Sequence, residues 1–154
     1  PHVNTFEEAN QVVQAAKFYP KGNRGSYTSR QGLGVKNYFN NANNETMVIV
    51  LIEDVIAIEN LDEILKVDDI DVFFVAPADF ASSMGHIGNP SHPEVQQKIK
   101  SSISRIINAG KNAGTLVTNQ NIDEYTSIGV KLFLSGVQGW LEKGAREFTA
   151  KARA

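Results

Sequence analysis

The chain contains no cysteine, which excludes a disulfide framework and any thiolate metal site and fits a reducing compartment. No apolar run approaches the roughly 20 residues that a membrane-spanning helix needs. The first residues carry no charged-then-apolar signal pattern, so a soluble, cytoplasmic chain with no membrane partner is expected. Dense blocks of Lys or Arg are missing too: 15 basic residues against 17 acidic ones leave a formal charge of -2. That balance gives no electrostatic footprint for nucleic acid. No strand-like run leads into a G-x-G-x-x-G, so a doubly wound sheet, although compatible with the pattern, would lack its phosphate cradle. A small polar or anionic metabolite is the easier ligand.

The chain's 154 residues are 42% hydrophobic, enough for one ordinary core, and residues 1–154 are read as a single domain. TFEEANQVVQAAKF, from Thr5 to Phe18, offers a Thr N-cap with Glu8 three residues on and an apolar stripe at Phe6, Ala9, Val13 and Ala16, which predicts an amphipathic helix. Tyr19 to Glu45 holds Gly22, Gly25, Gly32, Gly34, Arg24, Arg30 and an Asn-rich run, and is expected to be a long functional or disordered loop. MVIVLIE, from Met47 to Glu53, reads as a strand covered on both faces, and Ile56 to Val67 as a helix. DVFFVAPAD repeats the pattern of a buried run, a small-residue turn and an acid. A long helix from His92 to Lys111, a strand GTLVT, a helix NIDEYTSI, a strand VKLFLSG and a last helix from Gln138 to about Lys151 complete the chain. Such alternation implies a parallel sheet with right-handed crossovers. Four βα units are half of an eight-stranded barrel.

In parallel α/β folds the chemistry gathers where strands end and βα loops begin. Glu53 and Asp79 both fall there, one βα unit apart, on adjacent strand ends. Two carboxylates completed by substrate oxygens and water suffice for Mg²⁺ or Mn²⁺; either acid alone is equally read as a solvated strand end or a helix cap. Asp54 is expected to start the next helix, and Asp71 lies at the wrong end of its strand. The turn Ala76, Pro77, Ala78, Asp79 is built from small side chains, so backbone N–H groups can approach a substrate carboxylate. His86 and His92 flank a loop without the spacing of a zinc pair. His92 reads as a helix-entry residue, His86 as a loop residue near the site, and His2, near the terminus, carries no assignment. Arg24 and Arg30 are read as surface or packing residues, and Trp140, Phe73, Phe74 and Phe133 as core or barrel-wall aromatics.

Several stretches in fixed order carry a more specific signal: YPKGNRG (Tyr19 to Gly25), VIVLIED (Val48 to Asp54), IENLDEIL (Ile58 to Leu65), DVFFVAPADFASSMGHIGNPSHPEV (Asp71 to Val95) and AGKNAGTLV (Ala109 to Val117). Together they closely resemble the HpcH/HpaI aldolase family, the metal-dependent class II pyruvate aldolases. The resemblance implies the C-terminal half of a TIM (β/α)₈ barrel, four parallel strands with helices. It also implies reversible cleavage of a 4-hydroxy-2-oxo acid to pyruvate and an aldehyde through a metal-stabilised enolate. By the same resemblance Glu53 and Asp79 bind the ion, Mg²⁺ or Mn²⁺ with Co²⁺ as a third candidate, and Ala76 to Asp79 meet the pyruvate carboxylate.

The family's catalytic base and its carbonyl-binding Arg belong to a first barrel half that this sequence does not match, so no residue here takes those roles. A chain that begins at Pro1 and matches half a barrel is expected to be a piece of a longer enzyme or to join a partner that supplies the other strands. The family also implies a homo-oligomer, a hexamer exchanging the last helix, here Trp140 to Ala154. Leu51 stands where many members have Gln, Ala76 where Gly is usual, and Tyr27 where small residues are common; these departures leave the substrate subfamily open. A malyl- or citramalyl-CoA-type lyase and a non-catalytic half-barrel binding subunit are the alternative readings, the first without the basic cluster that a coenzyme A ester requires.

Overall fold

The structure, a computed structural model, describes residues 1–27 and 30–153. Thr28 and Ser29, inside the segment expected to be a loop, and Ala154, the last residue of the stretch Trp140 to Ala154 expected to be exchanged between subunits, lie outside the described residues. The first helix, α1 (Phe6–Ala16), starts where the sequence predicts: the Thr5 hydroxyl accepts the Glu8 N–H at 3.2 Å, and Glu8 in turn accepts the Asn4 N–H at 2.6 Å. Such reciprocal capping satisfies donors that a helix start leaves orphaned.

The segment after α1 is more ordered than its composition suggests. Its described residues include a 3-10 turn (Arg30–Gly32) and a helix, α2 (Tyr38–Glu45), built on the Asn-rich run. Asparagine is a poor helix former in isolation, and tertiary bonds override that preference here. The Asn43 side chain accepts from Phe18 N at 2.7 Å and donates to Phe18 O at 2.8 Å. The buried Lys17 ammonium donates to Asn43 O and Thr46 O at 2.7 and 2.6 Å, placing a cation on the C-terminal carbonyls of α2. Arg24 packs its guanidinium 4.8 Å from the centre of the Phe18 ring, a packing role.

Next come β1 (Ile49–Ile52), α3 (Val55–Glu59) and α4 (Leu61–Ile64). The single helix expected over Ile56 to Val67 is two short ones, divided at Asn60, whose side-chain amide donates to Asn4 O at 2.9 Å. The rest follows as β2 (Val72–Val75), α5 (Pro77–Ser83), α6 (Pro93–Asn108), β3 (Ala113–Leu116), α7 (Ile122–Ser127), β4 (Leu132–Leu134) and α8 (Gln138–Ala152). The strands form one parallel sheet in the order β1-β2-β3-β4, with Ile52 opposite Val75 and Val75 opposite Thr115.

One sheet face carries Val50, Ile52, Phe73, Val75 and Ala113, all buried beneath the helices. Helix α6 supplies Val95, Ile99, Ile103 and Ile106 to that layer, α5 gives Phe80 and α7 gives Tyr125. The opposite face corrects the expectation that β1 is covered on both sides: Ile49, Leu116 and Leu134 are exposed there. At its centre Gly114 leaves room for its neighbours, because a Cβ would stand 2.8 Å from the Phe74 ring and 3.2 Å from Leu132. Phe73 and Phe74 are buried as predicted, whereas Phe133 and Trp140 are exposed, at 37% and 52%. They lie on β4 and α8, and no residue of α8 is buried.

Two truncations separate the covered face from the open one. Ile103→Ala should cost about 2–5 kcal/mol in urea unfolding. Leu134→Ala, on the open face, should stay within about 0.5 kcal/mol. An equal loss for both would mean that the open face is covered in solution.

Candidate active site

The open face of the sheet is the wall of a cavity of about 540 Å³. Ile49, Leu51, Phe74, Leu116, Leu132 and Leu134 make its apolar side, and Glu53, Ala76, Pro77, Ala78 and Asp79 stand at the strand ends. Both candidate acids therefore border one space. Glu53 immediately follows β1 and Asp79 lies in the first turn of α5, just beyond β2. Because β1 and β2 are parallel neighbours, their C-terminal ends come out side by side.

The two carboxylates differ in environment. Asp79 is exposed, whereas Glu53 is 2% exposed. Burying a carboxylate is costly unless hydrogen bonds or a positive charge compensate it. Glu53 Oε1 accepts the His2 N–H at 2.7 Å; no donor among the described residues bonds its Oε2. The donor set at this end of the cavity is all carboxylate, the hard oxygen type that Mg²⁺ or Mn²⁺ takes together with water and substrate oxygens. The residues present fit such an ion.

Ala76 to Asp79 is a helix start rather than the free turn expected from the sequence. Ala76 occupies the N-cap, Pro77 is the first helical residue and Phe80 N donates to Ala76 O at 3.1 Å. Proline suits that position because its missing N–H would be an orphan there. The N–H groups of Ala78 and Asp79 belong to the first turn, which has no intrahelical acceptors for them.

His2 is a residue that sequence reasoning passed over. Its backbone, at φ 54°, lies in the left-handed region, costly for a non-glycine residue and concentrated at functional sites. Its Nδ1 is 3.0 Å from Asp54 Oδ2 and 3.6 Å from Glu53 Oε1. Asp54 does precede α3 as expected, but its side chain bonds His2 rather than capping the helix. Hydrogen bonding to Asp54 raises the His2 pKa above 6.5, and the charges of Glu53, Asp54 and Asp79 push the same way. The local signal was the proximity of Val3 to β1, whose Leu51 carbonyl accepts the Val3 N–H at 3.3 Å; no spacing rule reveals that contact. Asp71 sits at the far end of the sheet and accepts Val48 N at 2.6 Å. His86, expected near the site, and His92 do not reach the cavity; their rings stack on one another beside Glu94.

A sequence model described as HpcH/HpaI aldolase/citrate lyase matches residues 1–139. The chain belongs to this family. It is 40% identical to the hydroxypyruvate/pyruvate aldolase of Cupriavidus necator over 99% of its length, and 39% identical to the 4-hydroxy-2-oxo-heptane-1,7-dioate aldolase of Klebsiella pneumoniae over 98%. It spans 59% of each of these HpcH/HpaI relatives. A crystal structure of an HpcH/HpaI aldolase/citrate lyase family protein from Burkholderia cenocepacia superposes on 99% of the chain with a TM-score of 0.88 at 25% identity, and the chain covers 63% of that protein. The four parallel strands and their helices are thus a half-barrel of the family fold.

A group whose pKa is raised on folding adds stability that is complete below its unfolded value and is lost as pH rises through the folded one. For His2 the contribution should be present below its ordinary value of 6.5 and be lost as pH rises through the raised folded-state value. The difference in unfolding free energy between the parent and His2→Gln should therefore shrink with rising pH. A difference that grows with pH would contradict the contact.

Proposed function

We propose that the protein acts as a divalent-metal-dependent carbon–carbon lyase that cleaves a 4-hydroxy-2-oxo acid to pyruvate and an aldehyde. Glu53 and Asp79 hold the ion, Mg²⁺ or Mn²⁺ with Co²⁺ as a third candidate, and Ala76, Pro77, Ala78 and Asp79 frame the substrate carboxylate. The observation that carries this reading is the convergence of a buried and an exposed carboxylate on one cavity at adjacent parallel strand ends. Family membership and the aldolase relatives support the reaction class.

When bound, the ion supplies Lewis acidity at the carbonyl oxygen where charge develops as the carbon–carbon bond breaks. The chain's own residues position and shield. Glu53, held by the His2 N–H, presents a carboxylate at a fixed place. The first-turn N–H groups of Ala78 and Asp79 point out of α5 as donors for a carboxylate, in the manner of helix N-termini. Leu51, Phe74 and Leu116 keep water from the apolar side of the cavity. None of the described residues is assigned as the general base, which we place on further strands of the working barrel.

Calorimetric Mn²⁺ titration tests the ligands. The Glu53→Gln, Asp79→Asn double variant should bind at least about 100-fold more weakly than the parent, beyond what outer-shell losses produce. Unchanged affinity refutes the assignment. With the barrel complete, the same ion should drive exchange of pyruvate methyl protons into deuterated water, and no exchange with any divalent ion would refute the reaction class.

We further infer that the working protein is a homo-oligomer whose open inner face is covered by additional strands. On α8, Trp140, Leu141 and Phe148 are 52%, 70% and 75% exposed, an apolar surface suited to docking on a neighbour. Sedimentation should show a Leu141→Glu, Phe148→Glu variant at lower mass than the parent. A parent that is already monomeric contradicts the oligomer.

A further inference from the structure

Beyond the cavity, the loop between α5 and α6 brings His86, His92 and Glu94 together, with one ligand atom of each within 4.8 Å of the others. Among the described residues this is the group of three or more histidine, aspartate or glutamate side chains that meets such a distance. From this geometry we propose a second metal site, separate from the Glu53 and Asp79 end of the cavity, that takes an imidazole-preferring divalent transition ion of the zinc class.

Two imidazoles and one carboxylate form a donor set of intermediate softness, better matched to Zn²⁺, Ni²⁺ or Cu²⁺ than to Mg²⁺. The local chain holds the ligands close. His92 is the N-cap of α6 and Glu94 follows in its first turn, one residue beyond Pro93. His86 arrives from the loop, its Nε2 3.6 Å from Glu94 Oε2 and its ring centre 3.8 Å from that of His92. The loop is turned back at Gly85 and Gly88, whose φ angles of 82° and 73° suit glycine. The His86 N–H donates to Ala81 O at 2.7 Å, which ties the loop to the end of α5.

Binding requires two adjustments. The rings lie 17° from parallel, so their lone pairs lie in nearly parallel planes, and the partly exposed His86 ring must rotate about its Cβ–Cγ bond to meet an ion shared with His92. His92 Nδ1 now accepts the Glu94 N–H at 3.3 Å. Coordination through Nε2 moves the ring proton to Nδ1 and ends that long cap bond. The site leaves at least one coordination position to water, as a three-ligand zinc set does.

The reading is independent of the aldolase proposal, and its test separates the two. The full protein carrying His2→Ala, Glu53→Gln and Asp79→Asn is titrated with Zn²⁺ by calorimetry in excess Mg²⁺. It should still take up one Zn²⁺ per chain. Adding His86→Ala or Glu94→Gln should weaken that uptake at least about 10-fold, the least that loss of a metal-site residue produces, with the helical circular dichroism unchanged. Co²⁺ in place of Zn²⁺ should give a visible absorption band that His86→Ala removes. Absence of stoichiometric Zn²⁺ uptake, or uptake and a Co²⁺ band indifferent to both added substitutions, would overturn the site.

Discussion

Parallel pairing of β1 with β2 places Ile52 opposite Val75, and the ladder continues through Thr115 on β3. Each crossover passes on the helix side, so every strand leaves the sheet at the same end. Glu53 and the Ala76 to Asp79 helix start are neighbours for this reason, although a whole βα unit separates them in the chain. The buried layer beneath, from Val50 and Phe73 to Ile99 and Ile103, holds the ladder in register. Slipping a strand by one residue would turn its apolar side chains to the wrong face.

The same pairing leaves the sheet's second face partly open: Ile49, Leu116 and Leu134 are exposed there, while Phe74 is buried. In an eight-stranded barrel that face is filled by side chains from strands opposite, and here Leu116 and Leu134 point into open space. A half-barrel accounts for this together with the 59% span of the HpcH/HpaI aldolases it resembles. The apolar cavity is the inner wall of this half-barrel, and the two carboxylates border it at the C-terminal strand ends.

Much of this was legible in the sequence. The alternation of β-branched runs with amphipathic segments was sufficient to read the parallel fold and to set Glu53 and Asp79 at neighbouring strand ends. The Thr5 cap and the Pro93 start of α6 followed from local chemistry. What escaped depended on distant contacts. The helix over Asn40 to Asn44 rests on Lys17 and Phe18, and the meeting of His2 with Glu53 joins residues 51 positions apart. The stack of His86 on His92 arises from a loop whose glycines reverse it, which no helical spacing rule anticipates. Phe133 shares the helix side with Thr115 and Val75, and its exposure reflects its place on the edge strand β4 beside a helix α8 that buries no residue, which residue type does not encode.

The proposed site has Glu53 and Asp79 sharing one hard cation. Anomalous diffraction from crystals grown with Mn²⁺ and pyruvate tests it most directly. A manganese peak is expected within ligand distance of both carboxylates, about 2.0–2.3 Å for a hard divalent ion of this size, with the pyruvate carboxylate facing the N-terminus of α5. A fully occupied peak elsewhere, with both carboxylates free of metal, would contradict it.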